Sequence, residues 1–249
     1  MTNLLNKLPF IFILILIKAF LVSEVSAQMF TVGNNGSRPQ TPPSSAVYFG
    51  LQPYEFERQG ELGEDDLDYT FNEAIYTMRV EIPGFEFFGN YGPNIVSPDD
   101  QNINYYNVGI QLTGGMNVFT RESYSFILPL EISTEFTNVA AEGETQTSRE
   151  FRQSALMIGT GISFNWRPAN NVRLTTRGLP MIGFSVSSHS GEGGVKYKFE
   201  NRNRIYVDNI INRFGLVFGV DFRLSSLDTS EEQFQYDSYG NALMIGVSF

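Results

Sequence analysis

The chain contains one histidine, His189, set in Ser187-Ser188-His189-Ser190-Gly191-Glu192. A hydroxyl, an imidazole and a carboxylate are the groups that nucleophilic catalysis needs. The imidazole takes the hydroxyl proton, and the carboxylate holds the imidazole in the right orientation. Here the three are nearly consecutive in a Gly- and Ser-rich stretch, whereas triads are assembled from separated positions. No glycine elbow or oxyanion donor accompanies them, so a plain polar loop accounts for these residues better than catalysis does. The chain has no cysteine. That excludes thiolate zinc sites, disulfides and a lipid anchor on a cysteine. The acids Asp99, Asp100, Glu142 and Glu144 lack the spacing of a calcium loop. No metal or cofactor is expected.

The second group with chemical potential is larger. Glu81, Glu131, Glu135 and Asp221 could form an acid–base set, but they share their pattern with Arg79, Arg173, Arg177, Lys196, Lys198, Arg213 and Arg223. Carboxylates and cations confined together should pair, because buried charge is costly unless it is paired and hydrogen-bonded. These residues are therefore expected to be a charge network lining a narrow lumen. Seven cations against four anions would leave an excess that could line an anion path, although a barrel of eight strands is just filled by its own side chains.

The elements that would position this network follow from a period of two beginning near residue 70, since successive side chains on a strand point to opposite faces. Eight segments show it: Tyr76 to Ile82, Tyr106 to Val118, Tyr124 to Phe136, Leu156 to Trp166, Val172 to Val186, Val195 to Phe199, Phe214 to Leu224 and Leu243 to Phe249. One face of each is apolar, and the eleven charges all lie on the other. Short turns are expected at Thr120–Ser123, Arg167–Asn171 and Asn201–Asn203. Longer loops are expected at 83–104, which carries Phe85, Phe87, Phe88 and Tyr91, and at 138–150, 187–193 and 225–237. Pro129 and Pro180 stand inside segments, where each removes a ladder donor and predicts a local irregularity.

Alternation alone does not say which face is inside, because a soluble lipocalin-type barrel has the same period with its apolar face inward. The start of the chain favours a membrane. Lys7, an apolar run from Leu8, and Val25-Ser26-Ala27 read as a secretory signal peptide cut after Ala27. Outward aromatics cluster at the segment ends, with Tyr124 and Trp166 at one end and Tyr106 and Phe136 at the other, as in the girdles of transmembrane barrels. Residues 28–68 are expected to be a flexible periplasmic lead-in, with 47–57 as a short strand for which both a place in the sheet and a place in the periplasm stay open. Residues 69–249 are expected to be an all-β, eight-stranded antiparallel up-and-down barrel. The net charge of −10 argues against nucleic acid.

Leu243, Ile245, Val247 and Phe249 resemble the assembly signal of outer-membrane β-barrels, a terminal aromatic preceded by alternating apolar residues; Asn241 departs from it. Residues 70–249 as a whole resemble the outer-membrane β-barrel domain family of Gram-negative bacteria, which includes OmpX-like and PorT-like proteins. The resemblance implies residence in the cell outer membrane, contact with its lipid including lipopolysaccharide, and insertion by the barrel assembly machinery. The expected role is non-enzymatic, structural or adhesive, with outer loops meeting an unidentified extracellular or periplasmic protein partner. The alternatives are a small channel or secretion-linked component, and a rim lipid hydrolase using His189.

Overall fold

The computed structural model describes residues 45–58, 70–96, 102–141, 150–187, 193–229 and 235–249. The signal-peptide segment 1–27, His189 and the acids Asp99, Asp100, Glu142 and Glu144 lie outside these residues. Eleven strands run in chain order: β1 (Ala46–Arg58), β2 (Phe71–Ile82), β3 (Phe85–Val96), β4 (Asn102–Thr120), β5 (Tyr124–Ala141), β6 (Glu150–Thr160), β7 (Ile162–Ala169), β8 (Val172–Ser187), β9 (Gly193–Ile211), β10 (Phe214–Thr229) and β11 (Tyr236–Ser248).

Every neighbouring pair is antiparallel, and the sheet closes on itself. β1 pairs with β11 on one side and β2 on the other, and the series returns through the β4–β5 pairing. β6 and β7 lie end to end, and both pair with β5 and β8, so together they occupy one place in a ring of ten. The eight-strand expectation is corrected by two additions. β1 joins the ring, which moves the barrel's start from residue 69 to 46 and leaves less of 28–68 as lead-in. β3 occupies most of the expected loop 83–104. It escaped notice because Gly89, Gly92 and Pro93 interrupt its alternation and Phe88 points to the opposite face from Phe87. The added strands come as a pair, so the parity is unchanged and both termini of the ring remain at one end. There Ser45 and Phe249 exchange two backbone hydrogen bonds, of 3.2 and 3.0 Å.

The same end carries the tight connections at Pro83-Gly84, 121–123, Asn170-Asn171 and Asn212-Arg213. Pro83 fixes φ and Gly84 takes φ +78°, the pairing that a type II turn requires. Asn212, at φ 56°, tolerates the left-handed region better than most residues. This is the turn end; the opposite end is the loop end. Asn201–Asn203 is not a turn. β9 runs through it without a break, and the reversal comes at Asn212-Arg213 instead. The expected loop 225–237 also shrinks, because β10 continues to Thr229 and β11 begins at Tyr236.

Both prolines flank the break between β6 and β7. Pairing of β5 stops at Leu130↔Thr160 and resumes at Ile127↔Ser163, so Pro129 faces the gap. Pairing of β8 stops at Met181↔Gly159 and resumes at Gly178↔Ile162, so Pro180 faces it from the other side. Neither proline has an N–H to give the ladder, and Thr160 Oγ1 donates to the Pro129 carbonyl at 2.9 Å instead. The wall stays tight, since a Cβ on Gly161 would lie 2.0 Å from the Gly178 carbonyl oxygen. Gly161→Ala should therefore cost about 1–3 kcal/mol, read as a lower urea midpoint of the refolded barrel. Gly178→Ala, whose Cβ would meet only the Asn201 amide at 3.9 Å, should leave the midpoint where it is.

The faces are sorted in the reverse of a soluble protein. Leu130, Ile158, Phe184, Leu243 and Ile245 are half or more exposed on the outside, whereas Arg79, Glu131, Lys196, Lys198 and Glu200 are buried inside. Aromatic rings ring the turn end. Phe119, Tyr124 and Phe164 form neighbouring pairs at 5.6 and 6.3 Å, and Tyr124 is cross-strand to Trp166. Toward the loop end Tyr106 lies 5.8 Å from Phe136. From Tyr124 to Phe136, at ~3.3 Å per residue and a tilt of ~40°, the outer wall rises roughly 30 Å, the thickness of a bilayer's hydrocarbon core.

Candidate functional site

The lumen is filled in layers. Toward the loop end Tyr54, Phe56, Phe71, Tyr105, Phe151 and Tyr236 pack together, with Phe56 and Tyr236 stacked at 4.6 Å and the Tyr105 hydroxyl donating to that of Tyr54 at 3.1 Å. Toward the turn end the Tyr48 and Tyr206 hydroxyls meet at 3.0 Å. Between them lies the charge network.

Its spine is β9. Lys196, Lys198, Glu200, Arg202 and Arg204 alternate inward along this strand, and all are buried. Lys198 donates to Glu135 at 2.9 Å and lies 2.8 Å from Glu200, while Lys196 pairs with Glu135 and donates to the Tyr236 hydroxyl at 2.8 Å. Arg202 forks between Glu86 and Glu200 and donates to Gln111. Arg204 holds Asp221 through both nitrogens, one at 3.1 Å, and lies 3.4 Å from Glu81. From the facing strands, Arg79 pairs with Glu86 and reaches Asp221 at 3.0 Å, and Arg223 reaches Glu200 at 3.1 Å. Glu81 accepts from the Tyr48 hydroxyl at 2.8 Å, and Glu131 accepts from Thr113 Oγ1 at 3.0 Å and pairs with Arg177.

Phe88 sits in the middle of the lattice. The cationic groups of Arg79, Lys198 and Arg223 approach its ring to 5.5, 4.9 and 5.2 Å, distances at which the ring's negative face attracts cations. Space for it comes from Gly109, where a Cβ would lie 2.4 Å from the ring.

Of the residues expected in the network, Arg79, Glu81, Glu131, Glu135, Arg177, Asp221 and Arg223 are in it. Arg173 lies below it at the turn end, 3.6 Å from Asp208 and stacked 3.9 Å over the Tyr206 ring. Arg213 is not in it. It is exposed in the tight turn after β9, because the strand runs on to residue 211 rather than stopping near 200. Glu86, Glu200, Arg202 and Arg204 are in the network and were not expected there. Their signal was present as charge at every second residue from Lys196 to Arg204, hidden by reading Asn201-Arg202-Asn203 as a turn. The cation excess falls from three to one with them. Among the described residues the fully buried charges are six cations and five anions.

This arrangement binds its own charges to one another, and no described carboxylate stands apart with a nucleophile or an orienting base beside it. Among the described residues, no group of three His, Cys, Asp or Glu side chains is placed to hold a metal ion. Leu243, Ile245 and Val247 point outward from β11, and the Phe249 ring lies 6.5 Å from that of Phe214 in the turn-end belt.

No family model matches the chain, and no curated protein matches it. Solved structures do. The outer membrane protease OmpT from Escherichia coli is 11% identical, with a TM-score of 0.48 over 87% of this chain and 99% of that one. Ail, the attachment invasion locus protein of Yersinia pestis, is 11% identical, with a TM-score of 0.33 over 83% of this chain and 99% of its own. Its complex with the heparin analogue sucrose octasulfate gives 10% identity and a TM-score of 0.36 over the same shares.

Proposed function

We propose that the chain is a non-enzymatic outer-membrane barrel whose lumen is closed and whose loop end is held outside the cell to carry structural or adhesive contacts. The observation that carries this reading is the inverted sorting of side chains: apolar residues over the outer wall, and paired charges packed inside. Exposed apolar residues over a whole barrel wall would aggregate in water, and paired charges need no solvent. In this reading the tight turns face the periplasm and the longer connections face outward. Lipid, including lipopolysaccharide, meets the apolar band. The barrel assembly machinery reads Leu243, Ile245, Val247 and Phe249. An extracellular protein partner would be met at the loop end.

Heat modifiability and conductance together test the reading. The protein refolded in detergent should run faster on a gel unheated than boiled. In a planar bilayer it should give no steady ion conductance, because the ion lattice and the aromatic layer toward the loop end both block the lumen. A stable conductance would overturn the closed barrel in favour of a channel. The absence of a heat shift, with solubility in plain buffer, would overturn the membrane reading.

A further inference from the structure

The outer wall is not smooth. Toward the loop end, where β8, β9, β10, β11 and β1 lie side by side, it holds a groove of about 540 Å³. The register sets its lining in two rows. One row runs Tyr197, Ser226, Asp237, Glu57, and the next runs Phe199, Leu224, Tyr239, Glu55, each residue directly opposite the next across a ladder. Residues opposite one another share a face of the sheet, and here that face is the exposed outer one. Ser226 is the smallest side chain of the eight and leaves room at the centre.

The aromatic side of the groove is held in place. The rings of Phe199, Phe222 and Tyr239 form an edge-to-face run with centroids 6.3 and 5.2 Å apart. The Asn241 amide donates to the Tyr239 hydroxyl at 2.6 Å. Asn241 is the residue that breaks the apolar alternation before Phe249, and holding Tyr239 gives it a task there.

The opposite edge is acidic. Glu55 and Glu57 are exposed along β1, and Glu55 stands between Tyr239 and Asn72 across its two ladders, neither of them a cation. Lys198 borders the groove but is turned inward, 2.9 Å from Glu135 and 2.8 Å from Glu200. Among the described residues no three acidic side chains are placed to hold a metal ion, so the negative charge is spread along an edge instead of focused on a point. Carboxylates beside aromatic faces suit an alkylammonium group, which both attract. Phe199 and Leu224 offer an apolar bed for the chain attached to it.

We infer that this groove docks an amine-bearing lipid of the surrounding membrane, with its ammonium between Glu55, Glu57 and the Tyr239 ring and its chain over Phe199 and Leu224. The inference rests on the membrane reading, since the groove opens sideways from the barrel wall and not toward the loops.

Native mass spectrometry of the full-length protein refolded in a non-ionic maltoside detergent tests it, with hexadecylamine, hexadecanol and hexadecanoate as probes. One equivalent of the amine should stay bound, about tenfold tighter than the alcohol or more, as a cation held by carboxylates and a ring requires. The hexadecanoate should bind no tighter than the alcohol. Glu55→Gln/Glu57→Gln should bring the amine down to the level of the alcohol. Ser226→Trp, which fills the groove and keeps both carboxylates, should do the same. Glu73→Gln, which removes an exposed acid on β2 outside the groove, should bind as the parent does. An amine that binds no tighter than the alcohol, or that keeps its affinity in the double variant or in Ser226→Trp, would overturn the site. The heat shift separates this result from the membrane reading. A protein that shifts on heating but shows no preference for the amine loses the site alone, whereas one without the shift loses both.

Discussion

Replacing Arg202 by Met should lower the unfolding free energy of the barrel by about 3–5 kcal/mol, the range found when one partner of a buried ion pair is removed. Arg202 is 5% exposed and holds Glu86, Glu200 and Gln111 from a single guanidinium. Without it Glu86 keeps Arg79, and Glu200 keeps Lys198 and Arg223, but both carboxylates stay buried with one counter-charge fewer, and Gln111 loses the guanidinium that donates to it. The loss follows from stranding an anion, not from the intrinsic worth of a salt bridge, and a second variant separates the two. Glu86→Gln on the Arg202→Met background returns the lumen to the parent's net charge and leaves Arg79 and Glu200 their charged partners, since Arg79 still reaches Asp221 at 3.0 Å and Glu200 keeps Lys198 and Arg223. More than half of the loss should return. Urea midpoints of the protein refolded into vesicles, read from the heat shift, measure both. An Arg202→Met barrel with the parent's midpoint would mean that water enters the lumen freely and screens the lattice.

The lattice also marks how far the sequence could be read. Period-two alternation located most of the strands and assigned the apolar and charged faces correctly, because a strand with unlike faces has only one way to sort its residues. What alternation could not do was find strands whose faces are not unlike. β3 buries Phe88 among cations and exposes Tyr91, so its aromatics straddle both faces, and its glycines and Pro93 imitate a loop. β9 failed for another reason. Asn201 and Asn203 face outward beside Thr176, whose hydroxyl donates to Asn203 at 2.6 Å. A polar residue on the outward side breaks the pattern just where the inward charges Glu200, Arg202 and Arg204 continue it. Reading only the inward face would have kept the strand whole. Partners were beyond reach in either case. That Glu86 meets Arg202 across 116 residues depends on ring closure and register, which no local spacing encodes.

The outward polar residues sharpen the question of what surrounds the wall, and a charge placed there answers it. Leu130 is 52% exposed, halfway along β5 between Tyr124 and Phe136, and pairs with Thr160 across the ladder. Leu130→Arg should cost about 2–4 kcal/mol when the protein is refolded into bilayers, because a cation at the midplane must be drawn from water into hydrocarbon. Phe214→Arg, in the turn-end belt beside Phe249, should cost only about 0–1 kcal/mol, since an arginine at that height reaches the headgroups. The difference between the two carries the argument, as both replace a large exposed apolar residue by the same cation and both leave the lumen untouched. Urea titration in vesicles reads it directly. Equal, small costs at both positions would place the apolar wall outside the hydrocarbon. In that case the exposed leucines, isoleucines and phenylalanines would need a protein partner covering them instead of lipid.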